Sequence, residues 1–275
     1  MTLHDIAAGL WIWRIEHPRW RSGVDWQPVV TTTWVETGGE RLVIDPLAPP
    51  ASDDTWKWLD EHVPTVAVVL KPDHVRDVDL FVRRYGARGF GPIYYDPGDL
   101  PHPKRPLKAI KPGAHVPGGA VALFEGRGGL ETPLWLPEQR TIVFADGLTE
   151  RAGVLRVWTS QWHEERALPA LRDMLALPFE RVIISHGEPV HDRAAFERAL
   201  TLPPWPASPL HIAAWSGSLD LVRALVARGA AVNAVDEQYA GTSLDFAHWG
   251  EQRSVAEYLR SVGARPSPTA KPPGD

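Results

Sequence analysis

Cysteine is absent from the 275 residues, and methionine occurs only twice. The first absence excludes disulfides, thiolate zinc sites and a cysteine nucleophile together. No block of lysines and arginines of the kind that tracks a phosphate backbone is present, and the formal net charge is −5. Together these argue for no nucleic-acid partner. Apolar runs are strand-sized, far below the length that spans a bilayer, so no membrane partner is expected. Met1-Thr2-Leu3-His4-Asp5 opens without a basic stretch followed by a long apolar one. No signal peptide is read there, and a cytoplasmic location is the expectation. What the chain does have in quantity is tryptophan, 13 residues. Trp13, Trp20, Trp26, Trp34, Trp56 and Trp58 crowd the first quarter; most are expected to fill core, with an aromatic pocket as the sharper alternative.

Along the first two hundred residues, β-rich segments come first: 10–15, 29–36 and 41–46, the last two joined by a Gly38-Gly39 turn. A helix is expected over 54–62, a buried strand over 65–70, a helix over 75–85 and a short strand over 91–95. The Pro- and Gly-rich stretch 96–119 is expected to be mostly loop, with one strand near 107–110. Strands at 121–125, 134–136 and 141–145, a helix at 164–177, a strand at 181–185 and a helix at 193–200 complete the unit. Strands first, then mixed α and β, argue for an α/β sandwich of two sheets with outer helices and against a doubly wound order.

Three strand ends carry acid and imidazole groups: Lys71-Pro72-Asp73-His74-Val75-Arg76-Asp77, Ala145-Asp146-Gly147, and Ser185-His186-Gly187-Glu188-Pro189. Side chains there are held rigidly, as nitrogen and oxygen ligands of a metal must be. In this setting the chain resembles the metallo-β-lactamase fold family. Residues 33–46 are similar to its first hairpin, 134–147 to the hairpin that leads to its metal-bridging aspartate, and Ser185-His186-Gly187-Glu188-Pro189 to its last metal histidine. The resemblance spans residues 9–190 and implies an αββα sandwich of two mixed β-sheets with outer helices.

The family's H-x-H-x-D-H motif is only partly present. In one register Pro72-Asp73-His74 is its end and the first two histidines are missing. In the other, His74 stands for an earlier histidine and Arg76-Asp77 for the end. Arg127 falls where the family has its middle histidine, and the resemblance implies a charge replacement for a lost ligand there. The resemblance thus implies a metal site made by His74, Asp146 and His186, with Asp73 or Asp77 as a fourth ligand or catalytic base. It implies one zinc or iron ion, or none. A two-metal mechanism needs both ions on one water, which this chain is not expected to hold. Two functions follow: a mononuclear hydrolase of an ester, thioester or lactone-type bond in an unidentified small molecule, or a non-catalytic scaffold or sensor with its polar groups bonded to each other. His163 is expected to be solvated at a helix start, His191, His102 and His115 to lie outside the site, Asp45 to form a turn, and Glu131-Thr132 to form a structural turn near it.

The last quarter repeats itself. Ser208-Pro209-Leu210-His211-Ile212-Ala213-Ala214 is matched by Thr242-Ser243-Leu244-Asp245-Phe246-Ala247; Leu210 to Leu244 and Gly229 to Gly263 are each 34 residues apart. This resembles ankyrin repeats, with the extra residue in the 237–241 loop and His211 making structural hydrogen bonds. The expected organisation is a domain over 1–200, a stiff Pro-rich linker over 201–207, a small all-α module of two repeats over 208–267 and a disordered tail over 268–275. Two repeats are too few to stand alone, so the module is expected to dock on the first domain. A protein partner on its concave face is the other role the repeats imply.

Overall fold

The computed structural model describes residues 3–22, 24, 26–92, 103–127 and 131–272. Seven strands form the first sheet, adjacent in chain order: β1 (Leu3–Ala7), β2 (Leu10–Glu16), β3 (Val29–Thr37), β4 (Glu40–Ile44), β5 (Val66–Val68), β6 (Arg88–Gly91) and β7 (Lys108–Ala109). The pairs from β1 to β4 are antiparallel, and those from β4 to β7 are parallel. Then come β8 (Val121–Ala122), β9 (Leu134–Leu136), β10 (Thr141–Val143), a separate hairpin of β11 (Leu148–Arg151) and β12 (Val154–Val157), β13 (Arg181–Ile183) and β14 (Val190–Asp192). The second sheet has the order β14-β13-β10-β9-β8, with only β10 and β13 parallel.

Side-chain parity explains the layering. Leu42 and Ile44 of β4 and Val66 and Val68 of β5 pack with Leu134, Leu136, Val143 and Ile183 between the sheets. Their neighbours Val43 and Ala67 face the other way, onto Leu59 of α1 (Thr55–Glu61) and Val78 and Phe81 of α2 (Val78–Tyr85). Ile142, Phe144, Val182 and Ile184 likewise meet Leu168 and Leu171 of α3 (Leu168–Asp173) and Phe196 of α4 (Arg193–Ala199). A period of two puts alternate residues on opposite faces, so strands apolar at every position must be covered on both sides. The result is the αββα sandwich. Trp13 and Trp34 are fully buried in the outer layer, each contributing about 2–3 kcal/mol through burial. The turn from β3 to β4 has Gly38 at φ 51° and Gly39 at φ 75°, a two-residue turn that few other residues adopt.

Three expectations need correction. The helix placed over 75–85 starts only at Val78, because Pro72–His74 forms its own short turn and Arg76 takes φ 41°. The helix placed over 164–177 is divided into a wide turn (His163–Ala167), α3 and a tight turn (Met174–Ala176); Pro169 lacks the N–H that a continuous helix would use. The strands β1, β11, β12 and β14 were not anticipated. Part of the expected strand over 91–95, together with His102, Gly128 and Gly129, lies outside the described residues.

The repeats form α5 (Pro209–Trp215), α6 (Leu219–Ala227), α7 (Ser243–Trp249) and α8 (Arg253–Ser261) around one core that includes Leu210, Val222, Leu244, Val255 and Leu259. Thr242 and Asp245 cap α7 reciprocally; 34 residues earlier, His211 Nδ1 lies 2.8 Å from Ser208 Oγ and Nε2 lies 3.0 Å from the Ala234 carbonyl. Trp205 of the linker extends the β12 edge: its N–H donates to the Val157 carbonyl (2.9 Å) and its carbonyl accepts from Thr159 N–H (2.8 Å). Polar contacts then join module and domain: Ser216 and Ser218 hydroxyls to Gln161 Oε1, Arg228 to Glu165, and Arg156 to Glu237. Lys271 N–H donates to the Tyr239 carbonyl (2.8 Å), which lays the start of the tail against the second repeat; 273–275 are outside the described residues. Among the described residues no helix is long and apolar enough to cross a membrane.

Candidate metal centre

The site lies where parallel strands of both sheets end. Asp45 follows β4 at φ 47°. Its Oδ1 accepts from Leu70 N–H (2.7 Å) and its Oδ2 lies 2.7 Å from His74 Nδ1, which fixes the imidazole from behind. Asp146 follows β10 and His186 follows β13. Asp146 Oδ1 lies 3.2 Å from His74 Nε2 and 3.3 Å from His186 Nε2. These distances would suit hydrogen bonds, but neither contact is aligned as one, and Asp146 Oδ1 and His186 Nδ1 are buried without hydrogen-bond partners.

That geometry fits a metal. The donor set is two imidazoles and a carboxylate, with one ligand atom from each within 4.8 Å of the others. Two ligands about 2.1 Å from one tetrahedral ion lie roughly 3.4 Å apart, close to the two spacings seen. A buried carboxylate oxygen without an aligned hydrogen bond, within 3.3 Å of two ring nitrogens, is what a site shaped around a common centre looks like.

The other oxygen of Asp146 is occupied. Lys71 Nζ donates to Asp146 Oδ2 (2.7 Å) and to Asp73 Oδ2 (2.5 Å). Burial alone would lower the lysine pKa, but the two carboxylates outweigh it and hold it above the usual range. Asp146 is held well below the usual carboxylate range: burial opposes this, and the charges on Lys71 and His74 prevail. For His74, burial pulls downward, yet Asp146 and then Asp45 raise it to about 9. Burial lowers His186. Arg127 donates to Glu125 Oε2 (2.6 Å) and Glu131 Oε2 (2.8 Å). Glu131 in turn accepts from the N–H groups of Ala145, Asp146 and Gly147, which shapes the loop carrying Asp146. Burial lifts Glu131 to about 7. Arg76 donates to the carbonyls of Thr31 and Asp45 and to Ser185 Oγ.

His74, Asp146 and His186 therefore meet in one place. Asp73 lines the same cleft, with Oδ1 free of hydrogen bonds. Asp77 also lines it, but its Oδ2 accepts from Ala48 N–H (2.8 Å) and so ties down a neighbouring loop. Arg127 lines the cleft as well, behind Lys71's partner Asp146, held by Glu125 and Glu131. His163 is 1 % exposed, not solvated, because the wide turn folds it inward. His115 is exposed, and His191 sits outside the cluster, against the Glu188 carbonyl. The sequence assigns Lys71 no role, although it directly precedes Pro72-Asp73-His74; it marks Asp45 as a turn residue only, and Arg76 only as part of one motif register. The cleft measures about 680 Å³, with Trp26 and Trp158 among its walls. Trp26 packs 5.3 Å from His186 and 5.1 Å from His17, whose pKa burial, and then Arg76, lower to about 4.

Comparison with known structures agrees with this architecture. A metallo-beta-lactamase from Pontibacter korlensis aligns with TM-score 0.52 and 16% identity, over 73% of this chain and 97% of its own. The two sandwiches share one fold. The first domain has the metallo-β-lactamase fold. The mono-zinc form of the metallo-beta-lactamase FIM-1 from Pseudomonas aeruginosa aligns with TM-score 0.53 and 18% identity, over 73% of this chain and 93% of its own. A metallo-beta-lactamase family protein from Thermus thermophilus aligns with TM-score 0.54 and 16% identity, over 94% of this chain and 95% of its own. At these identities the likeness fixes the metallo-β-lactamase fold and nothing finer. A family model for ankyrin repeats (many copies) matches residues 200–247. No curated protein sequence matches the chain.

Proposed function

We propose that this metallo-β-lactamase-fold domain, residues 1–200, is a mononuclear metal-dependent hydrolase of an ester, thioester or lactone-type bond. The observation that carries this is the convergence of His74 Nε2, His186 Nε2 and a partnerless Asp146 Oδ1 at 3.2–3.3 Å. Those three residues would hold one zinc or iron ion; one fold relative is described in a mono-zinc form. When bound, such an ion polarises a scissile carbonyl and acidifies water. The chain's own residues do the rest. Asp45 fixes the His74 ring through Nδ1, so that Nε2 faces the centre. Lys71 takes the Asp146 oxygen that a second ion would need, which limits the site to one. Asp73 lines the cleft with one oxygen free of hydrogen bonds and would be the group to accept a proton there. Asp77, committed to Ala48, supports the loop instead.

Elemental analysis of protein purified without chelator tests this. Close to one equivalent of zinc or iron is expected, falling steeply in His186→Ala together with hydrolysis of an ester, thioester and lactone panel. Under about a tenth of an equivalent, with no gain on adding zinc, would sink it.

A second reading has its own support. Lys71 and Arg127 already neutralise the buried acids with short ion pairs, as in a hydrolase-like scaffold or sensor that no longer turns over. Hydrolysis abolished by His186→Ala would count against it. Under either reading residues 208–267 act as a protein-binding module through the repeats.

A further inference from the structure

The chain carries a formal net charge of −5, yet its cleft does not share that sign. Among the described residues, five cationic side chains line it: Arg19, Arg21, Lys71, Arg76 and Arg127. Against them stand Asp73, Asp77 and Asp146. The inner three cations are committed to partners: Lys71 to two aspartates, Arg76 to two carbonyls and Ser185, Arg127 to two glutamates. Arg19 and Arg21 are different. Both are exposed at the mouth, and their side chains form no ion pair or hydrogen bond with any described residue. The same segment supplies Val24 and Trp26 to the wall, and Trp158 faces the cleft from β12's far end. A cavity of about 680 Å³ with two indoles and several aliphatic groups suits an organic molecule of moderate size. A cationic ligand would be repelled there, and a neutral one would leave both guanidinium groups unused. Low-dielectric walls with one prevailing sign of charge concentrate ligands of the opposite sign.

We infer that the cleft takes an organic anion, its carboxylate or phosphate seated on Arg19 and Arg21 and its apolar or aromatic body along Trp26 and Trp158. The assignment of the reacting end to His74, Asp146 and His186 rests on the hydrolase reading above; the anion seat does not.

Titration calorimetry on the full-length, chelator-treated protein tests the seat with three probes of one shape: naphthoate, naphthyl phosphate and naphthamide. At least one of the anions is expected to bind about tenfold more tightly than the neutral amide. In Arg19→Glu/Arg21→Glu that preference is expected to fall below about twofold while amide affinity stays unchanged. The tighter of the two anions identifies the head group. Equal binding of amide and anions, no binding by any probe, or a preference that survives the double substitution overturns the inference. Because no metal is present in this titration, its failure leaves the hydrolase reading standing, and failure to load metal leaves the anion seat standing.

Discussion

At the scale of single residues, His74 decides how the centre behaves with pH. Its pKa in the folded chain is raised to about 9, against 6.5 when unfolded. A raised histidine pKa gives stability that is fully present below 6.5 and lost as pH rises through 9. The metal-free protein should therefore lose urea resistance between about pH 7 and 9.5, and His74→Gln should remove that slope. Under the proposed metal reading the sign reverses. A ligating imidazole must give up its proton, so zinc binding should tighten as pH rises through the same window. A metal-free protein whose unfolding midpoint is flat across this range would refute the Asp146–His74 coupling. His74, Asp146 and His186 were legible in the sequence because they follow buried strands and match a known pattern. Lys71 was not, since a lone lysine before a proline carries no signal of its partners; its meaning comes from Asp146, 75 positions away, lying at 2.7 Å.

At the scale of elements, the turns that deliver the candidate ligands matter more than the strands. Gly187 follows His186 at φ 97°, and a Cβ there would meet Glu150 Cβ at 2.5 Å and Glu150 Oε2 at 2.8 Å. Gly153, between β11 and β12, also has positive φ, 80°, but a Cβ there meets nothing within 4 Å. The pair separates backbone strain from collision. Gly153→Ala should cost about 1 kcal/mol, whereas Gly187→Ala should cost roughly 2–4 kcal/mol and weaken zinc binding by displacing His186. Urea unfolding and zinc titration of both variants would check this; equal effects would mean that the Glu150 contact is soft. Most strands were readable because short apolar, β-branched runs bounded by turn residues mark strands buried on both faces. β1 was missed because Leu3-His4-Asp5-Ile6-Ala7 is a half-exposed edge with a polar centre, and the pairing of β11 with β12 turns on Ala152 and Gly153 at positive φ. The split of the 164–177 segment was signalled by Pro169, a breaker that an amphipathic pattern outvoted.

At the scale of the whole molecule, the question is what fixes the repeats to the sandwich. The repeats bury an apolar core of their own, and hydrogen bonds and ion pairs tie them to the first domain. Arg228 is about half exposed, so its pair with Glu165 is worth at most about 1 kcal/mol. Trp205 is another matter. It is 4 % exposed, pairs along β12, lies 5.1 Å from Trp158 and carries Arg151 at 3.6 Å over its ring. Removing a buried indole of this kind costs about 3–5 kcal/mol. Trp158 also donates its N–H to the Gly147 carbonyl, one residue beyond Asp146, so the anchor and the candidate metal centre share a strut. Trp205→Ala should therefore release the module, opening residues 201–207 to limited proteolysis and enlarging the radius of gyration in solution scattering, while Glu165→Arg changes neither. If Trp205→Ala stays as compact and as resistant as the parent chain, the polar contacts alone hold the repeats in place, and the indole anchor has no part in docking them.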